Sequence, residues 1–182
     1  GNWEAAALSF AREQLPLLVY LGAKANENLD EHIRAHLQAN GLRLIISDDS
    51  RTDPMSVITG YRFLKEGGFV AMAGDRIWSK DQPYLDIPWL GATVHLPAAP
   101  FQLARSARVP VIPVFFVRVG PLRYRGIVAA PILFSSTDTK ERDSEMRRVA
   151  EEYLAQLLAV AREHPDQWHH FDAFLFDDRP VQ

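Results

Sequence analysis

Short apolar runs alternate with longer amphipathic stretches along most of the 182-residue chain. The runs at residues 17–21, 42–47, 69–73, 109–117 and 127–133 are mostly rich in β-branched or aromatic residues, and turn-forming residues bound several of them, so they predict strands. Between them the spacing predicts helices at residues 4–13, at 29–39 closed by Asn40-Gly41, at 55–65 with Asp53-Pro54 as cap and first turn and Gly67-Gly68 as stop, and at 101–106. From 139 to 164 the apolar positions Met146, Val149, Ala150, Tyr153, Leu154, Leu157, Leu158 and Ala161 recur at helical spacing, which predicts one long amphipathic helix ended by His164-Pro165. Strands separated by helices imply right-handed crossovers and hence an α/β fold, a mostly parallel central sheet with helices on both faces. Residues 78–100 hold Pro83, Pro88, Pro97 and Pro100, too irregular for one element, and predict a long loop with room for a short strand.

Length adds a constraint to this pattern. A chain of 182 residues with 47% hydrophobic side chains buries a core of its own, and no internal repeat or low-complexity linker divides it, so residues 1–182 read as one domain. Zero cysteine excludes a disulfide scaffold, a thiolate zinc site and a cysteine nucleophile. The longest apolar runs fall far short of the roughly 18–20 residues that a bilayer crossing needs. The opening Gly1-Asn2-Trp3-Glu4 carries no initiator methionine and no charged-then-apolar leader, which predicts a fragment or processed form.

Charge is unevenly spread. The net value of −3 argues against a general nucleic-acid binder. Residues 87–137 nevertheless contain Arg105, Arg108, Arg118, Arg123 and Arg125 and no acid, whereas residues 138–182 hold 11 acids against 6 bases. Arginine outnumbers lysine 16 to 4, and its planar fork suits bidentate contact with phosphate or carboxylate. Two readings stay open: solvated faces, or a basic surface for an anionic partner such as a lipid phosphate or an acidic carrier protein.

Most common catalytic signatures are absent: there is no Gly-x-Ser-x-Gly elbow, no Walker loop and no Gly-x-Gly-x-x-Gly. His32 and His36 stand four apart, a spacing that can chelate metal, but no third ligand is evident, so they read as helix surface; His169-His170 reads as a packing or surface pair. More informative is Gly74-Asp75-Arg76, where an apolar strand ends. In open parallel sheets, ligands bind beyond the carboxyl ends of the strands. Asp75 and Arg76 there either pin the loop as an ion pair, or Arg76 offers a cation to phosphate or carboxylate while Asp75 orients a neighbour. Glu4, at the opening of the first helix, is either a dipole-favoured acid or half of an acid/base pair.

These motifs together resemble the lysophospholipid acyltransferase superfamily, in particular its bacterial lipid A late (lauroyl/myristoyl) acyltransferase branch. Gly1-Asn2-Trp3-Glu4 is similar to the end of that branch's His-x-Gly-Asn-Trp-Glu form of the His-x4-Asp/Glu motif, and Gly74-Asp75-Arg76 to its acid-containing motif after a strand. Ile87-Pro88-Trp89-Leu90-Gly91 resembles a Val-Pro-Phe-Leu-Gly element, and Pro97 to Ala104 a Pro-x-Gly-Pro-x-x-Leu-Ala helix start in which Ala99 replaces the usual glycine. Val109-Pro110-Val111-Ile112-Pro113 is similar to a Pro-Val-Ile-Pro strand, and Pro165-Asp166-Gln167-Trp168 to a closing Pro-x-Gln-Trp. The tail through Phe174 most resembles predicted acyltransferases standing alone or fused to glycosyltransferases.

The resemblance implies transfer of a fatty acyl group from an acyl-carrier-protein or coenzyme A thioester to a hydroxyl of a lipid or glycolipid. It implies a histidine base two positions ahead of Gly1, oriented by Glu4, with Asn2 and Trp3 shaping its turn, Asp75, Arg76 and Gly91 contacting substrate, and Arg105, Arg108 and Arg118 forming a patch for the carrier or a head group. The histidine being outside these residues, the fragment is expected to be inactive and its parent active. No metal or organic cofactor is expected, since the thioester is already activated. The expected location is peripheral, on the cytoplasmic face of the bacterial inner membrane. Alternatives are a lysophospholipid or glycerol-phosphate acyltransferase, or a non-catalytic lipid-binding or interaction domain that has lost the base.

Overall fold

The computed structural model describes residues 3–22, 35, 37–39, 41–47, 54–77, 81–136, 138–168, 170 and 174–176. The chain gathers into two compact units, one over residues 2–82 and the other over residues 83–182.

The N-terminal unit is a parallel sheet built on one apolar strand. Helix α1 (Trp3–Arg12) is followed by β1 (Leu17–Gly22), β2 (Arg43–Ser47), α2 (Pro54–Lys65) and β3 (Phe69–Ala71). The strand order is β2-β1-β3, all parallel, with Val19 opposite both Leu44 and Ala71. Strand β1 is central because it is apolar on both faces, as a strand covered on both sides must be. On one face Leu17, Val19 and Leu21 join Ala7 and Ala11 of α1, with Leu37 and Leu42, in a buried cluster. On the other, the Tyr20 hydroxyl donates to the Ser56 carbonyl of α2. Burial pushes the Tyr20 phenol above its ordinary value, because the ionised form loses water.

Left-handed caps end these helices. After α1, Gln14 stands at φ 55, its N–H bonding the Ala11 carbonyl while Leu15 N–H reaches Phe10. After α2, Gly67 at φ 88 and Gly68 repeat the pattern toward Leu64 and Phe63. Gly68 has a second reason to be glycine: a Cβ there would sit 2.5 Å from the Phe63 ring. Asn40 and Asp53, the sequence's stop and cap residues, lie outside the described residues, but Gly41 at φ 85 closes the helical residues 37–39 in the same way.

The C-terminal unit is antiparallel. Strands β4 (Tyr84–Trp89) and β5 (Ala92–Pro97) form a hairpin, and β8 (Leu175–Phe176) pairs with β5 on its far edge. Helix α3 (Ala99–Ala107) follows, then the hairpin β6 (Val114–Gly120) and β7 (Arg123–Val128), a 3-10 turn at Thr139–Glu141 and the long helix α4 (Arg142–Glu163). Met146, Val149, Ala150, Tyr153, Leu154 and Leu157 of α4 pack with Ile87, Val94, Leu96, Phe101 and Ile132 in one core. The predicted periodicity of α4 is therefore the core face itself.

The α/β class and its parallel sheet match the sequence pattern, but the described strands fall into three separate sheets rather than one. The expected loop at 78–100 is mostly the β4–β5 hairpin. Its alternation of Leu85, Ile87 and Trp89 with Tyr84, Asp86 and Pro88 is a one-face-buried pattern. Pro88 fits because β4 is an edge strand, where a missing N–H costs no ladder bond, while Pro97 ends β5 and Pro100 falls in the first turn of the following helix. The expected strands at 109–117 and 127–133 each break at a proline-containing stretch: Val111 and Ile132 make an isolated bridge, and β6 pairs directly with β7, whose Arg123-Tyr124-Arg125-Gly126 has no apolar signal.

Candidate active site at the carboxyl edge of the parallel sheet

Chain geometry brings the acidic candidates to one edge of the N-terminal sheet. Helix α1 is joined to β1 by residues 13–16, and its Ala7 and Ala11 share a buried cluster with Leu17 and Val19, which a short connection allows when the helix runs back along the strand. Its ten residues span about 15 Å, comparable to the strand, which carries the Trp3-Glu4 end toward the carboxyl end of β1. Strand β3 is parallel to β1, and Gly74-Asp75-Arg76 follows its end at the same edge. Helix α2, which follows β2, also begins there. Two helix N-termini thus face the edge, each carrying partial positive charge that favours an ionised carboxylate or a developing oxyanion.

Glu4 occupies the first turn of α1, but its side chain and that of Trp3 lie outside what the structure describes, as does Asn2 altogether. Asp75 and Arg76 are half-buried in a bend, and both engage interactions of their own. On α2, Met55, Val57 and Ile58 remain exposed at 62%, 44% and 43%, so apolar surface borders this edge.

The remaining candidates lie in the C-terminal unit. Gly91 sits at φ 80 in the tip of the β4–β5 hairpin, preceded by Leu90 at φ 51; positive φ at both residues is the type I′ turn that two-residue hairpins prefer. Arg105 is half-buried and donates from Nη2 to the Asp138 carbonyl at 2.6 Å. Arg108 is the left-handed cap of α3 at φ 58, with its N–H on the Arg105 carbonyl. Arg118 is exposed on β6, and its Nε donates to the Gly120 carbonyl at 3.2 Å. The three arginines therefore come from a helix's last turn, its cap and a strand edge. His32, His36 and His169 lie outside the described residues, while His170 packs against the rings of Trp168 and Phe174.

Two arrangements escaped the sequence reading. The Gln167 side chain accepts from Arg118 N–H at 2.5 Å and donates to the Arg118 carbonyl at 2.9 Å, so an amide side chain stands in for a neighbouring strand at the edge of β6. Its signal was an amide beside the Trp168 anchor after a helix-ending proline. Glu145, in the first turn of α4, accepts from the Ser135 and Ser136 N–H groups at 2.6 and 3.3 Å and from Arg148 Nε at 3.0 Å. Arg148 beside it, with those backbone donors, holds the Glu145 carboxyl down at about 2. Its signal was a first-turn acid three residues before an arginine.

Among the described residues no helix is long and apolar enough to cross a membrane, and no group of three or more histidine, aspartate or glutamate side chains gathers as a metal site would require. A search of curated proteins finds no match. The sequence model of the family described as bacterial lipid A biosynthesis acyltransferase matches residues 1–174, which spans both units and every motif discussed above. On that match the chain belongs to the bacterial lipid A biosynthesis acyltransferase family.

Proposed function

We propose that this domain moves a fatty acyl group from an acyl-carrier-protein or coenzyme A thioester to a hydroxyl of a lipid or glycolipid, working peripherally at the cytoplasmic face of the bacterial inner membrane. The observation that carries the reading is the family match over residues 1–174; Glu4 at the opening of α1 and Gly74-Asp75-Arg76 after β3 support it. In this scheme a histidine two positions ahead of Gly1 takes the proton of the acceptor hydroxyl, whose oxygen attacks the thioester carbonyl. The carbon–sulfur bond then breaks, and the thiol leaves with the proton. Glu4 holds and polarises the imidazole, as an orienting acid does for a base. Asn2 and Trp3 shape that turn, while Asp75, Arg76 and Gly91 contact substrate. The helix N-termini at the edge supply fixed positive potential for the oxyanion, and no metal or organic cofactor is required.

The exposed Met55, Val57 and Ile58 beside the edge support an acyl or lipid substrate. Arg105, Arg108 and Arg118 would meet an acidic carrier or an anionic head group, and the absence of acids from residues 87–137 supports this. The test uses the polypeptide that includes the residues ahead of Gly1. Glu4→Gln should lower acyl transfer from a labelled carrier thioester to a lipid A precursor by about a hundredfold or more, with little change in carrier binding. Undiminished transfer would end the assignment of Glu4 as the orienting acid.

A further inference from the structure

The C-terminal unit carries two leucines in a conformation that leucine rarely adopts. Leu90 at the tip of the β4–β5 hairpin has φ 51, and Leu122 at the tip of the β6–β7 hairpin has φ 54. Left-handed backbone is glycine's domain, and a leucine there is sterically disfavoured. Both side chains face solvent, Leu90 at 60% exposure and Leu122 at 94%.

The two tips lie at one end of this unit. Trp89, the residue before Leu90, meets the Trp168 ring edge-on at 6.4 Å between centroids. The preceding residue, Gln167, grips the Arg118 backbone through both amide atoms, two residues before Gly120 and the second tip. Consecutive residues thus tie the end of β4 to the end of β6. Around Leu122 stand exposed Val119, the arginines Arg118, Arg123 and Arg125, and Tyr124, whose ring and hydroxyl suit a boundary between oil and water. Asp166 shares the open depression of about 450 Å³ that Arg118, Gly120, Pro121 and Gln167 line; no carboxylate from residues 87–137 joins it.

We propose that this end of the unit docks on an anionic lipid bilayer, with Leu90 and Leu122 entering the head-group boundary and Arg118, Arg123 and Arg125 meeting lipid phosphates. Aliphatic tips surrounded by arginine have the composition of interfacial anchors. The inference rests on the peripheral membrane location proposed above and names the surface that makes it, but it does not depend on the acyl-transfer chemistry.

Cosedimentation of the 182-residue chain with vesicles tests it, using phosphatidylcholine alone and phosphatidylcholine with phosphatidylglycerol. Binding should favour the anionic vesicles and weaken between about 0.1 and about 0.5 M salt. Leu90→Asn with Leu122→Asn, which keeps residues tolerant of left-handed backbone, should reduce binding by about tenfold or more while circular dichroism stays unchanged. Arg123→Gln with Arg125→Gln should reduce it by a similar factor and flatten the salt dependence. Leu122→Gly separates anchoring from architecture: it should raise the thermal midpoint and lower vesicle binding together. Failure of the chain to bind either vesicle, or equal binding by the double-leucine variant, would overturn the proposal. Arginine-dependent capture of an acidic carrier protein with no vesicle binding would also overturn it. None of these readouts measures turnover, so acyl transfer stands or falls separately.

Discussion

The parallel unit and the antiparallel unit bury their strands by different means, and the difference governs where chemistry can sit. In residues 2–82 one strand, β1, is covered on both faces and its neighbours are reached through long connections, so every strand ends at a common edge. That edge gathers chain segments far apart in sequence, the start of α1 and the loop after β3. In residues 83–182 strands adjacent in sequence pair with each other, and one long helix, α4, supplies the apolar face against which β4 and β5 pack. Such hairpins present tips rather than a shared edge. The parallel unit therefore carries the candidate acid residues, and the antiparallel unit carries exposed tips and arginines.

If the two cores are separate, damage to one should spare the other. Leu154→Ala removes a fully buried side chain from the centre of the α4 core and should cost about 2–5 kcal/mol in urea denaturation. Amide exchange should accelerate in α4, β4 and β5 while β1 stays protected; equal acceleration in β1 would break the comparison. Gly68→Ala is the converse, because its Cβ meets at 2.5 Å the ring of Phe63, an α2 residue whose ring also neighbours the Arg43 guanidinium of β2, 5.2 Å from the ring centroid. The expected loss is about 1–3 kcal/mol, with faster exchange confined to α2 and the β2-β1-β3 sheet.

The smallest effect sharpens the comparison within the antiparallel unit. Glu145→Gln should destabilise by about 1 kcal/mol at neutral pH, since the Arg148 pair is partly solvated while the bonds to Ser135 and Ser136 pin the segment before α4. The sign follows from the lowered carboxyl. A group held at about 2 in the folded chain and near the ordinary glutamate value when unfolded contributes fully above that ordinary value, and its contribution fades as pH falls toward 2. Thermal midpoints of wild type and variant should therefore converge as pH drops toward 2, and a constant gap would show that the carboxylate is not the source.

Some features were legible because they are local. The periodicity from Met146 to Leu157 named the buried face of α4, and Gly41 and Gly67 marked helix ends because left-handed caps favour glycine. Gln14 and Arg108 perform the same capping without glycine and so gave no signal. Strand β7 gave no signal because Arg123-Tyr124-Arg125-Gly126 is exposed, and its partner is β6, where Phe116 stands opposite Gly126 and a Cβ there would meet the Phe116 ring at 3.2 Å. The same contrast divides the site: Glu4 and Asp75 were identifiable as acids at element ends, whereas the parallel pairing of β3 with β1, which sets the edge that Asp75 follows, required the strand order.

Residue pattern alone thus determined the α/β class, the long helix, most helix stops, the arginine-rich and acid-free middle, and motifs sufficient for the family resemblance. Only the tertiary structure decided that the strands form a parallel sheet and separate antiparallel pairs, that Gln167 serves as a surrogate strand for β6, and that Leu90 and Leu122 stand exposed on hairpin tips tied by Gln167 and Trp168. The reason is physical. Helical periodicity and caps are set by side chains within a turn or two, while strand partnership depends on hydrogen bonds and packing between segments whose separation along the chain leaves no local trace.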